Sequence, residues 1–387
     1  MPCGSYYWWR KPPRPLAFCA LVVLCALRPA AAQEQHADHA SPQPDARDAR
    51  HDVLVFVSAR ASETSAAVKQ TYLDDNEFTP SADLFYTRNG ERFRFLAEYL
   101  LTDDEHDLER LQVGWQLSEA TRLWVGRFHQ SANYWNTEHH HGQFLQTSIY
   151  RPAIEEFEDT GSLLPSHTTG ILLEHRREFG NGAGLQLSFS AGLTGTLEGN
   201  PNPQIEPFNL LHMQSGHGNS VSVRVGLFPE VLGENQIGFS FGRHMLNAAS
   251  DMALAPQWQP GVDAIDLNTL GLYGVWSHAR WRFVGATNRV GSQPRGGLGG
   301  SQTHFAATYG QVEYRMPGAW TVFSRIEHTA GSTDYTRLFP LFLRAQALVG
   351  VKALLSRKHA LTVEIGNAAT QAERFHRVSV QWSAVFP

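Results

Sequence analysis

Between Ile154 and Thr160 the chain carries four carboxylates, Glu155, Glu156, Glu158 and Asp159. Acids this dense do one of two things. They oppose basic groups across a narrow space and act on passing ions, or they lie in water and gather divalent cations. Just upstream, after Glu138, come three contiguous histidines, His139, His140 and His141. Imidazole is a ligand for first-row metals. Three adjacent histidines have no fixed ligand spacing, so loose capture by a polar loop stands beside a formed metal site. Six basic residues, Arg94, Arg110, Arg224, Arg282, Arg344 and Lys352, each fall on the polar face of an alternating segment. There is no His-Glu-x-x-His metalloprotease motif. Abundant Ser, His and Asp do not make a triad, which is recognised by geometry. The expectation is a protein that is not an enzyme and needs no cofactor.

The elements that must position these groups read as strands. Phe93, Phe95, Ala97, Tyr99 and Leu101 share one face, with Arg92, Arg94 and Glu98 on the other. Leu111, Val113, Trp115 and Leu117 alternate with Arg110, Gln112 and Gln116. The same period of two runs through 185–194, 220–228 and 341–353. One apolar and one polar face per strand follows from that period. The apolar face could line a sandwich core or meet lipid. Of the 387 residues, 42% are apolar, 11% aromatic and only 18% charged, and 33 are Gly. Mean hydropathy is −0.30. A polytopic helical membrane protein, which needs repeated apolar runs of about 20 residues, is excluded. So is wholesale disorder.

The N-terminus reads as a targeting segment. Arg10, Lys11 and Arg14 precede the apolar run Leu16–Leu27, and Ala30, Ala31 and Ala32 follow it. This pattern predicts a signal peptide over 1–32, cleaved after Ala32. All three cysteines, Cys3, Cys19 and Cys25, fall within it, so the mature chain has no disulfide. It retains 28 basic and 37 acidic residues, a net charge of −9, which excludes a basic nucleic-acid footprint. Residues 33–50 are polar, contain His36 and His39, and read as a disordered leader.

From 51 to 387 the pattern gives about sixteen strands, with fourteen and eighteen as the neighbouring counts. Their connections alternate between long and short. Asn89-Gly90 and Pro317-Gly318 mark tight turns, and 129–166 is the longest connection. The last segment places Val378, Val380, Trp382, Ala384 and Phe386 on one face. Long loops on one side, short turns on the other and an amphipathic end are the pattern of an antiparallel transmembrane β-barrel. In these features the chain resembles the bacterial porins, and Trp382 and Phe386 resemble the assembly signal of outer-membrane barrels. Pro387 departs from that signal by following the terminal aromatic.

The resemblance implies a passive channel for small hydrophilic solutes or ions in the outer membrane of a Gram-negative bacterium. It implies lipid, lipopolysaccharide and the barrel assembly machinery as partners, and it leaves monomer or homotrimer open. It also implies that loop 129–166, between the fifth and sixth strands, folds into the lumen. Glu155, Glu156, Glu158 and Asp159 would then face the basic wall. A channel specific for metal ions or oxyanions is the alternative within this architecture. A barrel enzyme or adhesin is the alternative outside it.

Overall fold

The structure, a computed structural model, describes residues 50–65, 76–103, 106–139, 143–156, 161–199, 203–208, 210, 216–230, 233–255, 258–297 and 300–387. The expected signal peptide and all of the leader except Arg50 lie outside them. Eighteen strands are formed. The first seven are β1 (Arg50–Thr64), β2 (Asn76–Asn89), β3 (Phe93–Thr102), β4 (His106–Ser118), β5 (Thr121–His129), β6 (His167–Glu178) and β7 (Gly184–Leu193). A short hairpin follows, β8 (Thr196–Glu198) and β9 (Gln204–Glu206). The rest are β10 (Asn219–Phe228), β11 (Gln236–Ala248), β12 (Val262–His278), β13 (Trp281–Gly296), β14 (Thr303–Arg315), β15 (Trp320–Ala330), β16 (Ala345–Leu354), β17 (His359–Ala369) and β18 (Arg374–Phe386). Among the described residues two short α-helices, α1 (Tyr134–His139) and α2 (Asp334–Leu338), lie in connections.

Sixteen of these strands form a closed antiparallel barrel. Each pairs with the next, β7 pairs with β10, and β18 returns to β1 with Val55 opposite Phe386. Closure removes the unpaired edge that lipid would not tolerate. Alternation fixes the faces. Val113, Val125, Ile171, Phe239, Leu272, Phe283, Ile365 and Val378 all point outward and are exposed. Trp115, Trp276, Trp281 and Trp320 are exposed on the same face beside the short connections. An apolar band edged by aromatic residues is the exterior of a barrel that sits in lipid. No described helix is long and apolar enough to cross a membrane.

The interior departs from a uniformly polar lining. On β12–β14 the inward face carries Tyr273, Val275, Val284, Ala286, Val290, Phe305, Ala307 and Tyr309, all buried. They join Trp135, Ile154, Leu163, Leu197, Ile205, Met252 and Leu338 in one apolar cluster. The long connections therefore build a core inside the barrel, against one side of it. Full burial of each such side chain is worth about 1.5–3 kcal/mol. Where it meets this plug the inner face of β12–β14 is apolar, as the outer face is toward lipid, while Gln311 and Glu313 of β14 also point inward.

Strand limits also differ from the sequence spacing. The hairpin β1–β2 is longer than predicted, because the outward row continues through Phe78, Ala82 and Leu84 across the Thr79-Pro80-Ser81 interruption. At 341 the predicted strand has not begun: Leu341 and Phe342 are buried in the interior, and β16 opens at Ala345. At the root of the longest connection, Gly126 (φ +136°), Gly170 and Gly192 stand side by side on β5–β7. A Cβ at Gly170 would lie 2.2 Å from the Ala191 carbonyl oxygen, so this row admits only glycine.

Candidate functional site: an inward loop pinned to the barrel wall

Residues 130–166 leave β5, turn inside the barrel and return to β6. The turn is set at Gln130, which is fully buried. Its amide donates to Ser220 (2.7 Å) and Thr168 (3.1 Å) and accepts from Ser190 (3.2 Å). Ser131 extends this hydroxyl hub to Ser222 (2.6 Å). Ser220 Oγ also meets His244 Nδ1 at 3.0 Å, and the Gln130 amide lies 3.4 Å from the same nitrogen.

Beyond α1 the segment 144–153 lies along the inner wall of β14–β18, held by charged side chains bonded to its backbone. Lys352 Nζ donates to the carbonyls of Phe144 and Gln146, each at 2.5 Å. Glu364 accepts the Ile149 N–H (3.0 Å) and Glu327 the Ala153 N–H (2.7 Å). Arg325, 1% exposed, donates to Ser148 Oγ (3.0 Å) and to the carbonyls of Tyr150 (2.8 Å) and Arg151 (2.9 Å). Such charge-assisted bonds are about twice as strong as neutral ones.

The predicted basic wall divides accordingly. Lys352 and Arg224 hold the loop, Arg224 through Thr137 Oγ1 (2.5 Å) and Glu138 (3.7 Å). Arg282 pairs with Glu234 (3.0 Å) and Glu313 (2.9 Å). Arg110 is bonded to Glu98 and lies over the Phe85 ring. Arg94 has Arg122 and Glu174 as its charged neighbours. Arg344 precedes β16 and bonds the Gly331 carbonyl at the rim, so its placement on a strand wall is corrected.

Two other arginines are brought together. Arg377 lies flat on the Tyr150 ring, 3.4 Å from its centroid, and Arg60 sits 5.1 Å from the same centroid. Tyr150 Oη meets Ser379 Oγ at 3.0 Å. Gln346, its amide oriented by its neighbours, accepts from Arg377 (2.6 Å) and donates to Glu327 (2.7 Å). Sequence spacing alone missed Arg60, Tyr150, Arg325 and Arg377. Arg325 and Glu327 do share a strand face two residues apart, a pairing that alternation could have shown.

Of the acidic cluster, Glu155 and Glu156 are described; Glu158 and Asp159 lie outside the described residues. Burial raises the Glu156 carboxyl above its ordinary value, and the fields of Arg151, Arg60, Arg325 and Arg377 oppose that rise. Glu155 is more deeply set. Burial lifts it from 4.5 to about 7 against the pull of Arg151 and Arg224. Arg151, buried and donating to Asn136 Oδ1 (2.6 Å), is lowered to about 10 and keeps its charge. Because the folded state raises the Glu155 value, its stabilising contribution is complete below about 4.5. It is lost as pH rises through 7. We expect the barrel to melt earlier at pH 8.5 than at pH 5.5, by on the order of 2 kcal/mol from this group. Glu155→Gln should flatten that difference, read by thermal unfolding at both pH values.

His139 ends α1 and is buried with its ring 4.7 Å from that of Trp135. Burial lowers it to about 3, so it is neutral and packed. His140 and His141 lie outside the described residues. Among the described residues no group of three His, Cys, Asp or Glu could hold a metal ion. Trp382 and Phe386 face outward on β18, with His359 stacked on Trp382 at 5.7 Å.

No protein-family model and no curated protein matches this sequence. Solved structures do. An anion-selective porin from Comamonas acidovorans aligns over 88% of this chain and 100% of its own, with TM-score 0.58 and 12% identity. The outer membrane channel DcaP of Acinetobacter baumannii aligns over 87% and 97%, with TM-score 0.54 and 12% identity. The fold is that of the porins. In-vitro folded OmpT, an outer membrane protein of Vibrio cholerae, in its trimer form, aligns over 87% and 99%, with TM-score 0.53 and 8% identity. At these identities it is the porin-like barrel that is shared, and the side chains at the aperture are this chain's own.

Proposed function

We propose that this chain is an outer-membrane porin of a Gram-negative bacterium, a passive channel for small hydrophilic solutes. The observation that carries the reading is the loop 130–166, which is bonded to the inner wall of β14–β18 and brings Glu156 into the field of Arg60 and Arg377. With the plug filling the β12–β14 side, the passage in this reading runs beside Tyr150, Arg60 and Arg377. Solutes are sieved by that eccentric aperture. Ions are sorted by the transverse field between the loop acids and the arginine pair, which is strong because low-dielectric walls focus it. In this reading residues 1–32 are removed on export and the short connections face the periplasm. Lipid, lipopolysaccharide and the barrel assembly machinery are its partners, and homotrimer assembly is consistent with the trimeric neighbour.

Purified, refolded protein should give discrete conductance steps in a planar bilayer. It should also run faster in detergent gels before boiling than after. A folded, heat-shifting barrel that inserts but carries no current would overturn the channel reading and leave the fold intact.

A further inference from the structure

A recess of about 180 Å³ lies at the mouth of the barrel, above the apolar plug. It is built by Trp258 and Gln259, by Gly300 and Ser301, and by Asp334 and Leu338, with strand ends beneath them. Nothing in the loop–wall contacts uses it. Below it Tyr335, Ile265 and Leu338 belong to the plug, so it is a dead end beside the passage.

Its chemistry is two-sided. One side is apolar: the Trp258 indole, held by its N–H to the Val262 carbonyl (3.2 Å), with Ile265 and Leu338 behind it. The Tyr335 hydroxyl is taken up below, donating to the Leu163 carbonyl (2.6 Å), so its ring contributes carbon surface. The other side is polar, with its carboxylate matched by a neighbouring arginine. Gln259 Nε2 donates to Asp334 Oδ2 (3.1 Å), Arg337 Nη1 donates to Asp334 Oδ1 (3.2 Å), and the Ser292 and Thr303 hydroxyls pair at 3.0 Å. Among the described residues no Lys, Arg or His lines the recess. An aromatic wall facing amide, carboxylate and hydroxyl groups matches a ring with C–H patches on one face and hydroxyls around its edge. Arg337 at the rim is already bonded to Asp334, which leaves little pull on anions, the polar rim disfavours hydrocarbons, and the volume admits one ring rather than a drug-sized ligand.

We propose that this recess binds a single neutral pyranose, with Trp258 as the stacking wall and Asp334 and Gln259 as hydroxyl partners. This inference does not rest on the channel reading, because binding in a dead-end recess can be measured whether or not current flows.

The refolded barrel in detergent would be titrated by calorimetry and by saturation-transfer NMR with methyl α-glucoside, methyl α-galactoside and methyl α-mannoside. Benzyl alcohol and glucuronate serve as apolar and anionic comparisons. At least one glycoside should saturate, more tightly than either comparison. Trp258→Ala and Asp334→Asn should each weaken it about tenfold or more. Asp334 and Ser301 are exposed, so Asp334→Asn and a blocking Ser301→Leu keep the test valid if Trp258→Ala does not fold. The proposal falls if no glycoside saturates, if benzyl alcohol or glucuronate binds more tightly in the recess, or if neither Asp334→Asn nor Ser301→Leu changes binding. A glycoside that blocks bilayer current would place the sugar in the passage and also overturn it.

Discussion

Arg325→Met should raise single-channel conductance several-fold and destabilise the barrel at the same time. The guanidinium is buried and donates to Ser148 and to two successive loop carbonyls, while its Nε faces Glu327 at 3.3 Å. Met fills similar space without a donor. The carbonyls of Tyr150 and Arg151 and the Glu327 carboxylate then stay buried with less compensation. Breaking a buried charged pair costs about 3–5 kcal/mol. The loop can lower that cost by moving off the wall into water, which widens the aperture. Arg325→Lys restores the charge without the planar fork and should recover stability better than it recovers the native conductance. If Arg325→Met lowers the melting temperature and leaves conductance unchanged, the loop is held by the plug alone and the polar pins do not set the aperture.

That outcome bears on what the sequence could reveal. The outward rows were legible because lipid imposes one rule on all of them. Val113, Phe239, Phe283 and Val378 must each be apolar, and the period of two repeats around the barrel. The position of the long loop was legible for the same reason, since it follows from counting those rows. The inward residues obey no single rule. Lys352 and Arg110 both alternate with apolar neighbours. Yet Lys352 binds loop carbonyls and Arg110 binds Glu98, and only the register of β3 against β4 and the path of the loop decide which. Arg60 and Arg377 are more than 300 positions apart in sequence, and barrel closure between β18 and β1 brings them to one tyrosine. The plug was hidden for a related reason. The apolar inner faces of β12–β14 alternate with apolar outer faces, so a second buried surface adds hydrophobicity and erases the period.

Ion selection should depend on Arg60, Arg377 and Glu156, which share one field beside Tyr150, more than on Arg110 or Arg344. In a salt gradient across a planar bilayer, Arg60→Gln with Arg377→Gln should move the reversal potential toward cation selectivity. Glu156→Gln should move it toward anions, because Arg60 and Arg377 then lose the carboxylate in whose field they stand. The shifts should be large at low salt and fade as salt rises, since the Debye length falls from about 10 Å at 0.1 M to about 3 Å at 1 M. Arg110→Gln is the contrasting case. Its charge is matched by Glu98 within the wall, so it should cost stability and move the reversal potential little. Arg344→Gln should do neither, since that side chain bonds a carbonyl at the rim. A clear shift from Arg110→Gln, with none from the Arg60 and Arg377 pair, would place the narrowest point on the β3–β4 side and remove Tyr150 from the aperture.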